Sequence, residues 1–589
     1  MWKKRAIVML VLIEAALFFI VGRLAQIQLI DTESFANHNL IAESVAQRTQ
    51  ELVIDDGRGS FVDRNGKPLT KRSVPSLVLF PFLKMRPWPI EQVARVTGVS
   101  EEEIRRQLER ADGPFVLEKN GEPLALSAEQ MRQMNRLRIP GVFAVHKQYP
   151  LETLYAPHLL GFTRPDRELL RQRYPKRPLP PGTEVGIQGL QKAFDEFLLA
   201  DAETKLLYHV DAEGRPLFGL DVKYSDPSNS FYPVTVKTTL DRDVQREMEQ
   251  IVDRFGLKKG GLVLLDVDTN SVVAMVSRPN MDPRDPYKNG GAENQMVLPH
   301  IPGSVFKTVI AAAALDEGIA SPTTTFDCRK TIAGEEDREH DYGTLDLTDS
   351  FAVSCNNAFA TLGKELIRHD PGALETYAEK LGLYPTAGWE GPVYHEEHFR
   401  QFPEERKGTI WHDARDKRVP LAVAQTAIGQ KDVRVSPLGV ANMMATIARG
   451  GKAWKVRAVD QVLYKNGAPL FSFSAEPATG LEPITPATVR QLQQLLRGVV
   501  TNQKGTGRRF QTLPYPVAGK SGTAETGKRE GDVELINKWF AGYFPADRPK
   551  YALAVVELDV PSGRAATNEV FAAAVEALYA HDRAQKENE

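Results

Sequence analysis

Cysteine is nearly absent from this 589-residue chain, which has only Cys328 and Cys355. A disulfide is chemically permitted outside a membrane, but sequence alone does not bring the two within bonding distance, and buried free thiols fit equally well. An excess of charge of one sign is missing too. With 74 Lys and Arg against 76 Asp and Glu, the net charge of −2 gives no reason to expect nucleic acid as a partner. A metal motif is also lacking: His395-Glu396-Glu397-His398 has the wrong spacing for H-E-x-x-H and reads as a polar surface turn. No metal and no cofactor are expected.

One long apolar run does occur, from Ala6 to about Leu29, interrupted by Glu14 and Arg23. Lys3-Lys4-Arg5 precede it, which predicts a cytoplasmic amino terminus over residues 1–5 and an extracytoplasmic remainder. No small-x-small cleavage site follows, since Arg23, Gln26, Gln28 and Leu29 stand there instead, so residues 6–29 read as an uncleaved anchor. Glu14 inside it is either tolerated near one end of a tilted span or faces a partner helix. With 42% hydrophobic and 25% charged residues, the chain can bury large cores and should hold at least two domains.

The chemistry lies in three motifs in fixed order: Ser304-Val305-Phe306-Lys307, Ser354-Cys355-Asn356 and Lys520-Ser521-Gly522-Thr523. Each alone is weak. Their context is stronger. Ser304 to Leu315 reads as a buried helix that puts Ser304 and Lys307 on one face, and Pro302-Gly303 suit its start. A serine hydroxyl is a poor nucleophile at neutral pH, and a lysine serves as its base only if burial or a second cation lowers its pKa; Lys520 could be that cation. Ser354 to Asn356 falls between the helical patterns Leu345 to Val353 and Ala358 to Ile367, as a tight loop presenting a hydroxyl and an amide. Lys520 to Ala524 reads as a strand, with Gly522 suited to close approach by a ligand.

In order and separation these motifs resemble the penicillin-recognising serine acyltransferases, whose set is S-x-x-K, S-D-N and K-T-G. Cys355 replaces the aspartate and Ser521 the threonine, variants similar to those of class B penicillin-binding proteins. The resemblance extends over nearly the whole chain, since Arg58 to Gly66 and Gly186 to Gln191 followed by Asp195 are similar to signatures of the class B amino-terminal region. It implies an α+β chain: a penicillin-binding transpeptidase fold, an antiparallel sheet flanked by helices, on an elongated α+β pedestal with one N-terminal transmembrane helix. Residues 31–224 would form the non-catalytic pedestal and residues 231–582 the transpeptidase domain. The turn-rich Tyr224 to Ser230 loop marks the boundary.

From chemistry first, Ser304 Oγ would attack a carbonyl with Lys307 as base, while Lys520, Ser521 and Thr523 suit a carboxylate and Asn356 an amide. By resemblance, Ser354 would pass a proton to the leaving amine, and the N–H groups of Ser304 and Thr523 would form the oxyanion hole, with Gly522 between the binding side chains. The implied reaction is D-Ala-D-Ala transpeptidation of peptidoglycan stem peptides or their lipid-linked precursor, with β-lactams acylating the same serine. The implied partner is a polytopic glycosyltransferase in the membrane. Alternatives are a D,D-carboxypeptidase, a β-lactamase-like hydrolase, for which no dedicated water-activating carboxylate is placed, and a mainly structural penicillin-binding component. A sensor is not expected, because five residues precede the anchor, and neither are a glycosyltransferase domain in residues 31–224 nor carboxy-terminal modules. The acceptor amine, and whether the chain serves elongation, division or sporulation, are not legible.

The remaining pattern is structural. Ser100-Glu101-Glu102-Glu103 and Ser127-Ala128-Glu129-Gln130 open like capping boxes, and Asn65-Gly66 signals a turn. Strands are predicted over Val234 to Thr239, Gly261 to Val267, Ser271 to Ser277, Lys538 to Phe544 and Tyr551 to Leu558, and a helix over Asn568 to Ala580.

Overall fold

The computed structural model describes residues 2–30, 49–177, 179, 182–199, 202–211, 217, 222–225, 229–337 and 341–588. Asp31, where the expected pedestal begins, and Asp226 to Ser228 of the expected boundary loop lie outside them. The chain divides into two compact units interleaved in sequence, one from residues 1–57, 72–150 and 200–230, the other from 58–71, 151–199 and 231–589.

In the first unit the apolar run forms a helix over Trp2–Ala25, long and apolar enough to cross a membrane. Strands Thr49–Asp55, Thr204–His209 and Lys223–Ser225 pair antiparallel. Helices Ile90–Thr97, Glu101–Arg110 and Ala128–Leu137 bury Val93, Ile104, Leu108 and Met134 in a small core with Leu77 and Leu79. The two capping signals differ in outcome. Ser127 and Gln130 form a complete box, whereas Ser100 accepts the Glu103 N–H but the Glu103 carboxylate turns to Arg106.

The second unit is built on five antiparallel strands: β1 (Gly260–Asp266), β2 (Ser271–Arg278), β3 (Ala518–Glu530), β4 (Val533–Phe544) and β5 (Tyr551–Pro561), in the order β2-β1-β5-β4-β3. Both faces are covered, which is why the strands read as near-continuous apolar runs. Leu262, Leu264, Phe540, Phe544, Leu553 and Val555 point into one core with α1 (Arg242–Arg254) and the carboxy-terminal helix Thr567–Asn588. Their alternates Val263, Leu265, Trp539, Ala541, Ala554 and Val556 join the other core, with α2 (Lys307–Asp316), α3 (Leu347–Ala352), α4 (Asn356–His369) and α5 (Pro437–Ala448).

Residues 58–71 and 151–199 fold with this unit because strand pairing and a buried ion pair hold them there. Ser60–Val62 lies parallel to Thr235–Thr238. Asn65-Gly66 makes the expected turn, with Gly66 at φ +81° and Asp63 Oδ1 accepting from the Asn65 and Lys67 N–H groups. Arg58 and Asp195 meet at 2.9 Å, and Asp195 also accepts from Gly186 N–H, Tyr174 OH and Arg173. The guanidinium in turn donates to Gln191 Oε1 and Glu184 O, so the two amino-terminal signatures form one network. His395 and His398 stand exposed on a hairpin, His395 facing Glu196 at 3.2 Å.

Candidate active site

The nucleophile candidate sits at a backbone junction where side chains cannot fit. Gly303, at φ +54°, would place a Cβ 2.2 Å from Thr523 O, and a Cβ on Gly522 would lie 2.6 Å from Pro302 O. These two glycines let the turn Gly303–Phe306 press against β3, which sets the Ser304 backbone beside that of Thr523. The turn is 3₁₀ and tightens into α2 at Lys307, slightly later than the predicted helix start. Trp539 Nε1 donates to Ile301 O at 3.0 Å and pins the approach from beneath.

Lys307 and Lys520 are both fully buried. Lys307 Nζ is 2.7 Å from Ser354 O, 3.1 Å from Ser354 Oγ and 2.7 Å from Asn356 Oδ1. Lys520 Nζ reaches the same Ser354 Oγ at 2.9 Å and its neighbour's carbonyl, Ser521 O, at 3.1 Å. One hydroxyl therefore bridges two amines. Burial first, and the Lys520 cation second, hold Lys307 well below its ordinary value; burial first, and the Lys538 cation second, push Lys520 down to about 7. The rings of Phe359 and Phe351 face the two amines at 5.6 Å, replacing part of the lost hydration. Three acceptors around Lys307 suit an ammonium. If Lys520 donates to Ser354 Oγ, the Ser354 proton is free to point at a neutral Lys307, so the same geometry also serves the base form.

The middle motif joins α3 to α4, as its sequence position predicts. Ser354 holds φ +64°, a left-handed conformation that costs an L-residue about 1–2 kcal/mol. Cys355 N–H donates to Ser350 O at 2.8 Å and closes the turn. Cys355 is bonded to Cys328, which resolves the open question of the two thiols: a 27-residue loop is closed at the residue between the catalytic serine and asparagine candidates. Asn356 opens α4 and is exposed on the cleft side of Lys307.

On β3, Ser521 Oγ shares a 2.7 Å hydrogen bond with Thr506 Oγ1, and Thr523 is exposed. Lys538, opposite Thr523 in the β3–β4 register, donates to Thr523 Oγ1 at 2.7 Å. That donation fills the acceptor side of the hydroxyl and leaves its proton for an anionic ligand. Neither Thr506 nor Lys538 stood out in the sequence. For Lys538 a signal existed, a lone lysine in the apolar strand Ile536 to Phe544; for Thr506 there was none.

Of the residues that the motifs nominated, Lys307, Ser354, Asn356 and Lys520 join in one hydrogen-bonded cluster, Ser521, Gly522 and Thr523 continue from Lys520 along β3, and the segment that carries Ser304 lies against that strand through Gly303. Residues 260–576 match the penicillin binding protein transpeptidase domain and residues 53–230 the penicillin-binding protein dimerisation domain. Stage V sporulation protein D of Bacillus subtilis is 25% identical over 545 residues, covering 87% of this chain and 76% of that protein. Peptidoglycan D,D-transpeptidase FtsI of Escherichia coli K12 is 24% identical over 573 residues, covering 93% and 86%. A chain of a solved structure on the coordination of polymerization and crosslinking by a peptidoglycan synthase complex superposes with a TM-score of 0.61 at 23% identity, covering 97% of this chain and 98% of that one, and shares the fold. With the transpeptidase match spanning more than half of its length and the dimerisation domain ahead of it, the chain belongs to the class B penicillin-binding proteins.

Proposed function

We propose that this serine-type D,D-transpeptidase cross-links peptidoglycan stem peptides through a Ser304 acyl-enzyme. The observation that carries the reading is Ser354 Oγ bridging two buried lysine amines. Neutral Lys307 takes the Ser304 proton as Oγ attacks the carbonyl of the penultimate D-Ala, and the N–H groups of Ser304 and Thr523 hold the oxyanion. The proton then passes by way of Ser354 to the departing D-Ala amine. Lys520, Ser521 and Thr523 hold the terminal carboxylate, and Asn356 the acyl-side amide. An amine of a second stem attacks the ester, forms the cross-link and restores Ser304. β-Lactams acylate the same serine because they carry the same carboxylate and a strained amide.

In the same reading residues 231–582 carry the chemistry and residues 31–224 include the pedestal. The anchor holds the amino terminus in the cytoplasm, with Lys3-Lys4-Arg5 inside and the catalytic unit outside. The Cys328–Cys355 disulfide suits the oxidising side of a membrane. A polytopic glycosyltransferase met along the anchor would supply the lipid-linked strands. Labelling with a fluorescent penicillin tests the core of the proposal: wild type should hold a covalent label and Ser304→Ala none. An unlabelled wild type would overturn the enzymatic reading in favour of a structural one. With a donor peptide and an acceptor amine, free tetrapeptide acid without cross-linked product would point to a carboxypeptidase.

A further inference from the structure

A second cleft lies further along β3. It has a volume of about 200 Å³ and is lined by Lys259, His300, Arg434, Thr526, Lys528 and Asp559, among others. Part of its lining continues the two segments that meet at the active site. Thr526 and Lys528 follow Thr523 on β3, and His300 and Ile301 precede Ser304. Strand geometry puts Thr526 about 10 Å from Thr523.

The cleft carries three cations against one carboxylate. Lys259 and Lys528 both bind Asp559, at 2.7 Å and 2.9 Å. Asp559 therefore neutralises one charge and holds both ammonium groups in place. Arg434 spends NH1 on Lys431 O and Val433 O, and has no ion-pair partner among the described residues. His300 adds no charge, since burial pushes it down to about 4 and its Nε2 bonds with Gln295 O. The surplus charge, with a guanidinium fork left open, fits a carboxylate.

The direction of the substrate identifies whose carboxylate it is. This step rests on the function proposed above. With the terminal carboxylate near Lys520 and Ser521 and the scissile carbonyl at Thr523, the donor peptide runs antiparallel to β3, toward Thr526. β3 is an edge strand of its sheet, so its outer backbone groups are open to strand addition. An extended peptide covers 10 Å in about three residues. We propose that the cleft of Lys259, Arg434 and Lys528 is a donor subsite that binds a carboxylate carried by the stem peptide two to three residues before the scissile bond.

The test uses the full chain in detergent and two donor pentapeptides, identical except that this carboxylate is free in one and amidated in the other. Acylation of Ser304 is measured without acceptor, so that only donor recognition is read. Wild type should acylate with the free acid about two- to fivefold more efficiently, the size expected for partly exposed charge pairs. Arg434→Gln and, separately, the more exposed Lys528→Gln should each reduce that ratio toward one, and the ratio within one variant is insensitive to how much of it is folded. Equal use of both donors by wild type, or a preference that survives both substitutions, overturns the subsite. A preference confined to the acceptor peptide in the complete reaction overturns its assignment to the donor. Failure of the underlying reading gives a different result, namely no fluorescent-penicillin label at Ser304 in wild type.

Discussion

Removing the Cys328–Cys355 bond tests how the middle motif is held. The double variant Cys328→Ala, Cys355→Ala opens a 27-residue loop. In the chain-entropy account, closure of a loop of that length is worth about 3.5 kcal/mol at 25 °C. The unit that contains it has roughly 420 residues, for which unfolding entropy near 2.1 cal/mol/K per residue converts that loss to a fall of about 4 °C in its melting temperature. A second effect is local. Ser354 keeps a left-handed φ of +64° that costs about 1–2 kcal/mol, and the tether lies one residue away. If the tether is what overcomes that cost, its loss should lower the population of the competent loop, and hence fluorescent-penicillin acylation, by about five- to thirtyfold. Thermal unfolding and acylation rates are measured side by side, on the variant and on wild type with and without reductant. A variant as stable as wild type and equally fast in acylation would refute the argument, and loss of stability with full acylation would refute its local half.

The proposed role of Lys520 predicts a pH dependence of substrate capture. If Lys520 binds the substrate carboxylate as proposed, its cation is present below about pH 7 and lost above it, so the KM for a carboxylate-bearing penicillin should rise through neutrality. Lys538→Met removes a like charge, raises the Lys520 pKa and should move that rise to higher pH; a move to lower pH contradicts the assignment. Asp195→Ala strands the buried Arg58 guanidinium and should cost about 3–5 kcal/mol in chemical denaturation, whereas a loss under 1 kcal/mol would make the network incidental. Glu14→Leu should weaken co-purification of the anchor with a polytopic membrane partner from detergent, and unchanged recovery would dismiss Glu14 as a contact.

The sequence alone was sufficient for most of the elements and for nominating the candidate site. Four of its apolar runs were strands of a doubly covered sheet, its Ser127 signal was a true cap, and Lys307, Ser354, Asn356 and Lys520 from its three motifs met in one hydrogen-bonded cluster. These features depend on local periodicity and on residue type, which a linear pattern carries. It could not supply what depends on pairing across the chain. The two amino-terminal signatures looked like separate motifs until Arg58 and Asp195 met at 2.9 Å, and Lys538 became a site residue only through its register opposite Thr523. The bond between Cys328 and Cys355, the left-handed turn at Ser354 and the depressed lysines belong to tertiary structure alone. Each results from burial or close approach between residues far apart in sequence, and desolvation and distance decide those energies. Residue identity does not.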